Sequence, residues 1–180
     1  MRKIKLYIAV SLDGKIARPD GSVDWLDAIP NPEKLDYGYS DFYNTCDTTL
    51  QGFKTYQTIL DFGIPFPYTD KKNYVFTTKP DLEDTDYVNF VSGDILLFIH
   101  NLKSGVGKDI WLIGGGKFNT ALFNAGLIDE FQIFVMPIVI GEGIPLFDLS
   151  PEETMLKLVD CKTYRNGVVQ LTYLKNKEQD

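Results

Sequence analysis

The chain has 180 residues, 44% of them hydrophobic, a formal charge of −7 and two cysteines. That length buries a core without staples, and Cys46 and Cys161 stand in no CxxC or metal-ligand spacing, so disulfides, a metal site and a catalytic thiol are not expected. The negative charge with scattered lysines argues against nucleic acid as a partner, and the sequence has no membrane-length apolar run or secretory signal pattern, which predicts a soluble cytoplasmic protein with one domain over residues 1–180.

Residues 3–10 (KIKLYIAV) alternate and are rich in β-formers, so they read as a strand that Ser11, Asp13 and Gly14 end. Residues 17–32 carry Pro19, Gly21, Pro30 and Pro32 around one large anchor, Trp25, which is the composition of a long ordered loop. Asn31-Pro32 opens a predicted helix over residues 32–46, with Leu35, Tyr39, Phe42 and Tyr43 on one side and Gly38 as its weak point. A strand over 48–52 and a helix over 54–62 follow, then strands over 73–79, stopped by Pro80, and 87–91. A helix over 94–103 is capped by Ser92 or Asp94, a buried strand covers 109–114, and a helix over 117–126 closes at Gly126. The strand over 130–141 breaks or bends at Pro137, and Asn166-Gly167 turns a C-terminal hairpin. Strands alternating with helices, then an antiparallel end, give an α/β fold with a mixed sheet covered on both faces.

The strand over 109–114 ends in Gly114-Gly115-Gly116 and hands over to Lys117-Phe118 and a helix. Backbone without side chains at that junction lets N–H groups and the positive helix end meet phosphate oxygens. One glycine suffices for a tight turn, so three followed by a lysine favour an anion site. Gly52-Phe53-Lys54-Thr55 repeats the arrangement, and Thr77-Thr78-Lys79 sets hydroxyls and a third cation past another strand end. Together they suggest a dinucleotide with an extra phosphate, NADPH in preference to NADH. The lone His100 reads as a surface residue and the aromatic stripe as core, with Tyr39 the one candidate to stack on a substrate ring.

IAVSLDGKIA, GFKTY, FTTKP and IWLIGGGKFNTALFNAGLIDEFQIFVMPIVIGEGIPLF, in this order, resemble the dihydrofolate reductase-like superfamily over nearly the whole chain. The last segment, PIVIGEGIPLF, is more similar to the reductase domain of the bifunctional riboflavin-biosynthesis enzyme and its stand-alone bacterial relatives than to true folate reductases. The resemblance implies a three-layer fold around an eight-stranded, mostly parallel sheet, NADPH across the carboxyl edge, and hydride transfer to a flat heterocycle. On that resemblance Ala9, Ile16 and the loop around Gly14 flank the nicotinamide, and Gly52, Phe53, Lys54 and Thr55 form the first phosphate turn. Thr77, Thr78 and Lys79 take the adenosine-phosphate end, and Ile113, Gly114, Gly115, Gly116, Lys117 and Phe118 form the second turn. Phe53 departs from the arginine or lysine usual in the resembling motif.

On the substrate side, Asp36 matches the acid that hydrogen-bonds the pterin in folate reductases, with Asp41 one helical turn on as the alternative. Asp36 or water would supply the proton, and Trp25 matches the loop tryptophan. Asp24 stands in place of a proline, Lys71 stands near the arginine that would hold a glutamate tail, and Lys34 is the one cation between Trp25 and Asp47. The expected activity is an NADPH-dependent reductase of a pteridine or pyrimidine-type heterocycle. Dihydrofolate reductase and an NADP-binding protein without turnover are the alternatives. The apolar stretch 131–141, with the pairing habit of the resembling relatives, predicts a homodimer.

Overall fold

The computed structural model describes residues 1–79 and 81–176, so Pro80, expected to stop the strand over 73–79, lies outside the described residues. An eight-stranded sheet runs through the molecule in the order β5-β4-β3-β6-β1-β7-β10-β9. Its strands are β1 (Ile4–Ser11), β3 (Cys46–Gly52), β4 (Lys72–Phe76), β5 (Val88–Val91), β6 (Asp109–Gly114), β7 (Glu130–Met136), β9 (Leu156–Thr163) and β10 (Val169–Lys175). From β5 to β7 all neighbours are parallel, and β10 and β9 close the sheet antiparallel. The expected α/β architecture, a mostly parallel eight-stranded sheet between two helical layers, is thus present.

Alternation along the strands sorts the core into two faces. Ile4 and Leu6 of β1, Leu50 of β3, and Ile110 and Leu112 of β6 pack with Ile99 of α3 (Ile95–Ser104) and Leu122 of α4 (Gly116–Asn124), all with no exposed surface. Trp111 and Val75 face the other way, onto Phe42 of α1 (Tyr39–Thr45) and Tyr56 of α2 (Phe53–Asp61). No helix among the described residues is long and apolar enough to cross a membrane.

The helix expected over 32–46 is a correction. Only its second half is helical, because Lys34 (φ 51°), Tyr37 (φ 54°) and Gly38 (φ 81°) take left-handed conformations that a helix cannot contain. Asn31 closes the preceding turn instead, its side chain accepting from the Leu35 N–H and donating to the Leu35 carbonyl, both at 2.8 Å. The strand expected to break or bend at Pro137 breaks there, ending at Met136. The chain then crosses to β8 (Ile144–Pro145), which pairs with β2 (Lys15–Ala17) in a two-stranded ribbon. The Asp13 carboxylate accepts from the Ile140 and Gly141 N–H groups (3.1 and 2.8 Å), and Leu12 N–H donates to the Ile138 carbonyl at 2.7 Å. The loop after β1 is therefore tied to the segment after β7.

The reason given for a homodimer also changes. β7 lies inside the sheet between β1 and β10, so its backbone edges are paired, with Phe131, Phe134 and Met136 buried and the residues between them half-buried. Beyond Pro137 the stretch exposes Val139 (64%), and apolar side chains also reach solvent at the edge strand β9, where Leu158 is 50% and Val159 45% exposed, with Met155 just before it at 68%.

Candidate active site

Two helices begin side by side at the carboxyl edge of the sheet. β3 ends in Gly52 and α2 leaves it on the face covered by α1, whereas β6 ends in Gly114 and α4 leaves on the opposite face. Since β3 and β6 are parallel neighbours, the connections change sides between them, the point at which open α/β sheets form a binding crevice. No side chain caps α2 or α4, while α3 is capped by Asp94, which accepts from the Leu97 N–H at 2.9 Å. The first-turn N–H groups of α2 and α4 thus face the crevice together with the positive ends of two helix dipoles.

The three glycines answer to different demands. Gly114 (φ 127°) and Gly115 (φ 106°) take backbone conformations that side chains disfavour, and a Cβ on Gly115 would stand 2.9 Å from Thr55 Oγ1. Gly116 is excluded from having a side chain by packing alone, because its Cβ would meet the Pro145 carbonyl of β8 at 2.5 Å. The Thr55 hydroxyl donates to the Gly114 carbonyl at 3.2 Å and joins the two turns into one cradle. Lys54 and Lys117, both exposed, stand in the first turns. Lys79 Nζ lies 4.9 Å from the centre of the Phe53 ring, so a cation reaches the Phe53 position from a neighbouring strand end. Thr77 accepts from the Lys79 N–H at 3.0 Å and fixes that end, with Thr78 exposed beside it. Phe118 is different: its ring packs on Phe76 at 4.8 Å within the core, so it supports the turn from beneath.

On the α1 face, a cavity of about 290 Å³ opens next to this edge. Ala9 lies on its wall, with Tyr7, Tyr37, Tyr39 and Phe134 around it and Asp36 among the lining residues. The rings brace one another, with Tyr7 to Phe134 at 4.5 Å and Tyr7 to Tyr39 at 6.0 Å. The Tyr7 hydroxyl donates to the Tyr37 carbonyl at 3.3 Å. The side-chain amide of Asn166, at the hairpin tip, donates to the Pro30 carbonyl (3.0 Å) and to the Tyr37 hydroxyl (2.5 Å). Burial holds the Tyr7 and Tyr39 phenols above their usual range, with the Asp70 charge adding to the effect at Tyr39, so both stay protonated at neutral pH.

The cavity brings together Ala9, Asp36 and Tyr39 of the expected residues and leaves others out. Asp36 precedes α1, is exposed, and accepts from the Gly38 N–H at 2.9 Å and the Ser40 N–H at 3.2 Å. The Gly38 N–H, then the Ser40 groups, hold its carboxyl below the usual carboxylate range, so at neutral pH it accepts hydrogen bonds and has no proton to give. Asp41 is exposed in the first turn of α1 and does not line the cavity. Trp25 is 1% exposed, packed on Phe134 and Met136 behind the cavity wall, and acts as the anchor of its loop without touching the cavity. Ile16 is half-buried in β2 and Ile113 packs toward the aromatic cluster of Trp111. Tyr7, Tyr37 and Phe134 were not anticipated. Tyr7 was within reach of sequence reasoning, since strand alternation sets it on the same face as Ala9.

Residues 2–170 match the RibD C-terminal domain, nearly the full length of the chain. The chain belongs to the RibD C-terminal domain family. Within reach of this family, the chain is 44% identical to the uncharacterized protein YwjB of Bacillus subtilis over 97% of its own length and 98% of that protein. The same RibD C-terminal domain fold recurs in a protein of Shewanella sp. PV-4 ascribed to riboflavin biosynthesis (TM-score 0.86, 27% identity, 97% and 99% of the two chains). It also recurs in the diaminohydroxyphosphoribosylaminopyrimidine deaminase/5-amino-6-(5-phosphoribosylamino)uracil reductase of Thermotoga maritima (TM-score 0.72, 17% identity). That match takes in 97% of this chain and 57% of the Thermotoga one. Dihydrofolate reductase of Enterococcus faecalis, solved with NADP(H), has a similar fold (TM-score 0.71, 16% identity, 97% of each chain). The fold of this chain is thus shared with proteins of the dihydrofolate reductase-like kind, as the sequence resemblance implied.

Proposed function

We propose that this chain is an NADPH-dependent reductase that transfers a hydride to a pteridine or pyrimidine-type heterocycle. The observation that carries the reading is the paired cradle: two uncapped helix starts joined by the Thr55 to Gly114 hydrogen bond, next to a cavity that has Ala9 on its wall. The closeness of a Gly115 Cβ to Thr55 Oγ1 fits a backbone that must stay bare for a phosphate to approach. The Enterococcus reductase of similar fold was solved with NADP(H), which supports the same cofactor here. NADPH, when bound, supplies the hydride. The protein's own residues then have three tasks: Gly52, Thr55, Gly114 and Gly115 hold the pyrophosphate, the aromatic walls align the ring, and Asp36 orients it by accepting a hydrogen bond. The proton comes from water, because Asp36 is held ionised.

Loss of the near-ultraviolet absorbance of NADPH in the presence of candidate heterocycles tests turnover. Tight NADPH binding with no oxidation by any pteridine or pyrimidine would instead favour a binding protein. The 2′-phosphate is assigned to Lys79, so calorimetric titration is expected to show NADPH bound more tightly than NADH by about tenfold or more, as one charge-assisted contact provides. Lys79→Glu should remove that preference while leaving NADH nearly unaffected; equal affinities in the parent protein reject the assignment.

We also propose a homodimer formed through the β9 edge, because an eight-residue edge strand with exposed Leu158 and Val159 is a template for pairing. Light scattering at micromolar concentration is expected to give twice the chain mass, and a value near 20.4 kDa discards the dimer. The two free thiols, one buried and one exposed, suit a reducing cytoplasm.

A further inference from the structure

We infer that the aromatic cavity takes a flat heterocycle carrying no phosphate, so that the physiological substrate is a phosphate-free ring in place of a phosphoribosylated pyrimidine; this rests on the reductase reading above. The lining of the cavity carries a single charge, and it is negative: Asp36. Its carboxylate is stabilised by the Gly38 and Ser40 N–H groups, so it is charged at neutral pH. A phosphate brought beside it would meet a like charge at a site whose walls are aromatic and whose lining holds no cation.

Lys34, between the lining residues Asn31 and Asp36, is exposed and does not line the cavity, and three further cations are engaged elsewhere. Lys71 Nζ lies 3.7 Å from the centre of the Tyr43 ring and 3.2 Å from Asp70, Arg165 pairs with Glu33 at 3.5 Å, and Arg18 pairs with Asp24 at 2.6 Å. Positive charge is instead gathered at Lys54, Lys79 and Lys117, on the crevice side. The molecule thus separates its two ligands by charge: phosphates to the glycine turns, an uncharged or protonated ring to the tyrosines. Size agrees with the ring itself, since about 290 Å³ accommodates one or two fused rings.

Calorimetric titration of the full chain, with and without NADP+, tests this on two matched pairs: 5-amino-6-(ribosylamino)uracil against its 5′-phosphate, and 6-hydroxymethylpterin against its phosphate ester. The phosphate-free member of at least one pair should bind, with its phosphorylated partner at least tenfold weaker. Equal or tighter binding of either phosphorylated compound, or no binding by any of the four, overturns the inference. Asp36→Asn should narrow the difference at least threefold, since it removes the charge and keeps the shape; an unchanged difference removes Asp36 as its source. Failure of the reductase reading is seen separately, as NADPH that neither binds nor is oxidised while a ring still titrates.

Discussion

Gly115→Val is expected to abolish measurable NADPH binding. At φ 106° a branched residue is strained, and its first carbon would stand 2.9 Å from Thr55 Oγ1, the atom that joins the two helix starts. Either Thr55 moves and the cradle opens, or the backbone shifts and the α4 N–H groups turn away. Losing two charge-assisted contacts to a pyrophosphate, at about 1.5 kcal/mol each, corresponds to on the order of a 100-fold weaker complex. The strain itself costs about 1–3 kcal/mol, which lowers the melting temperature by roughly 3–10 °C in a protein of this size. Calorimetry and a thermal melt on the same sample separate the two effects. A folded variant that titrates like its parent would show that the glycines do nothing but turn the chain.

Methotrexate-type antifolates are expected to bind weakly, and dihydrofolate to be at best a slow substrate. A tight pterin site offers a carboxylate with both oxygens free for the ring and a guanidinium fork for the glutamate tail. Here the Asp36 oxygens already accept from Gly38 and Ser40, and Asp36 is exposed, so hydrogen bonds to a ring compete with water and with the turn. Lys71, the residue near the expected tail site, is held over the Tyr43 ring and paired with Asp70, and a lysine offers only a point charge. One missing bidentate pair weakens binding by about 2 kcal/mol, more than tenfold. Inhibition constants and steady-state rates with dihydrofolate measure this directly. Nanomolar inhibition with rapid turnover would make the protein a folate reductase.

Much of this architecture is written in local sequence, and what is missing depends on contacts between distant residues. The strands β1 and β6 announce themselves by apolar pattern, the hairpin by Asn166-Gly167, and the cradle by glycines that follow a strand. Asp36 was misread as helical because the apolar spacing of residues 35–43 continues across Gly38, and nothing local reveals that Tyr37 also takes a left-handed conformation. With two and three residues, β8 and β2 are too short for any periodicity, so the need for Gly116 to pass the Pro145 carbonyl could not be foreseen. Alternation grouped Tyr7 with Ala9, but which face of the sheet holds a cavity is decided by where α1 begins. Trp25 stood out by size, a property that anchors and catalytic residues share.

The Asp13 clamp has a kinetic consequence. With the loop after β1 tied to residues 140 and 141 by two hydrogen bonds, and Trp25 buried further along, the covering segment is pinned at its start and near its middle. A segment so pinned is restrained against swinging as a lid, a motion that takes microseconds to milliseconds, and the restraint would weaken on replacing Asp13 alone.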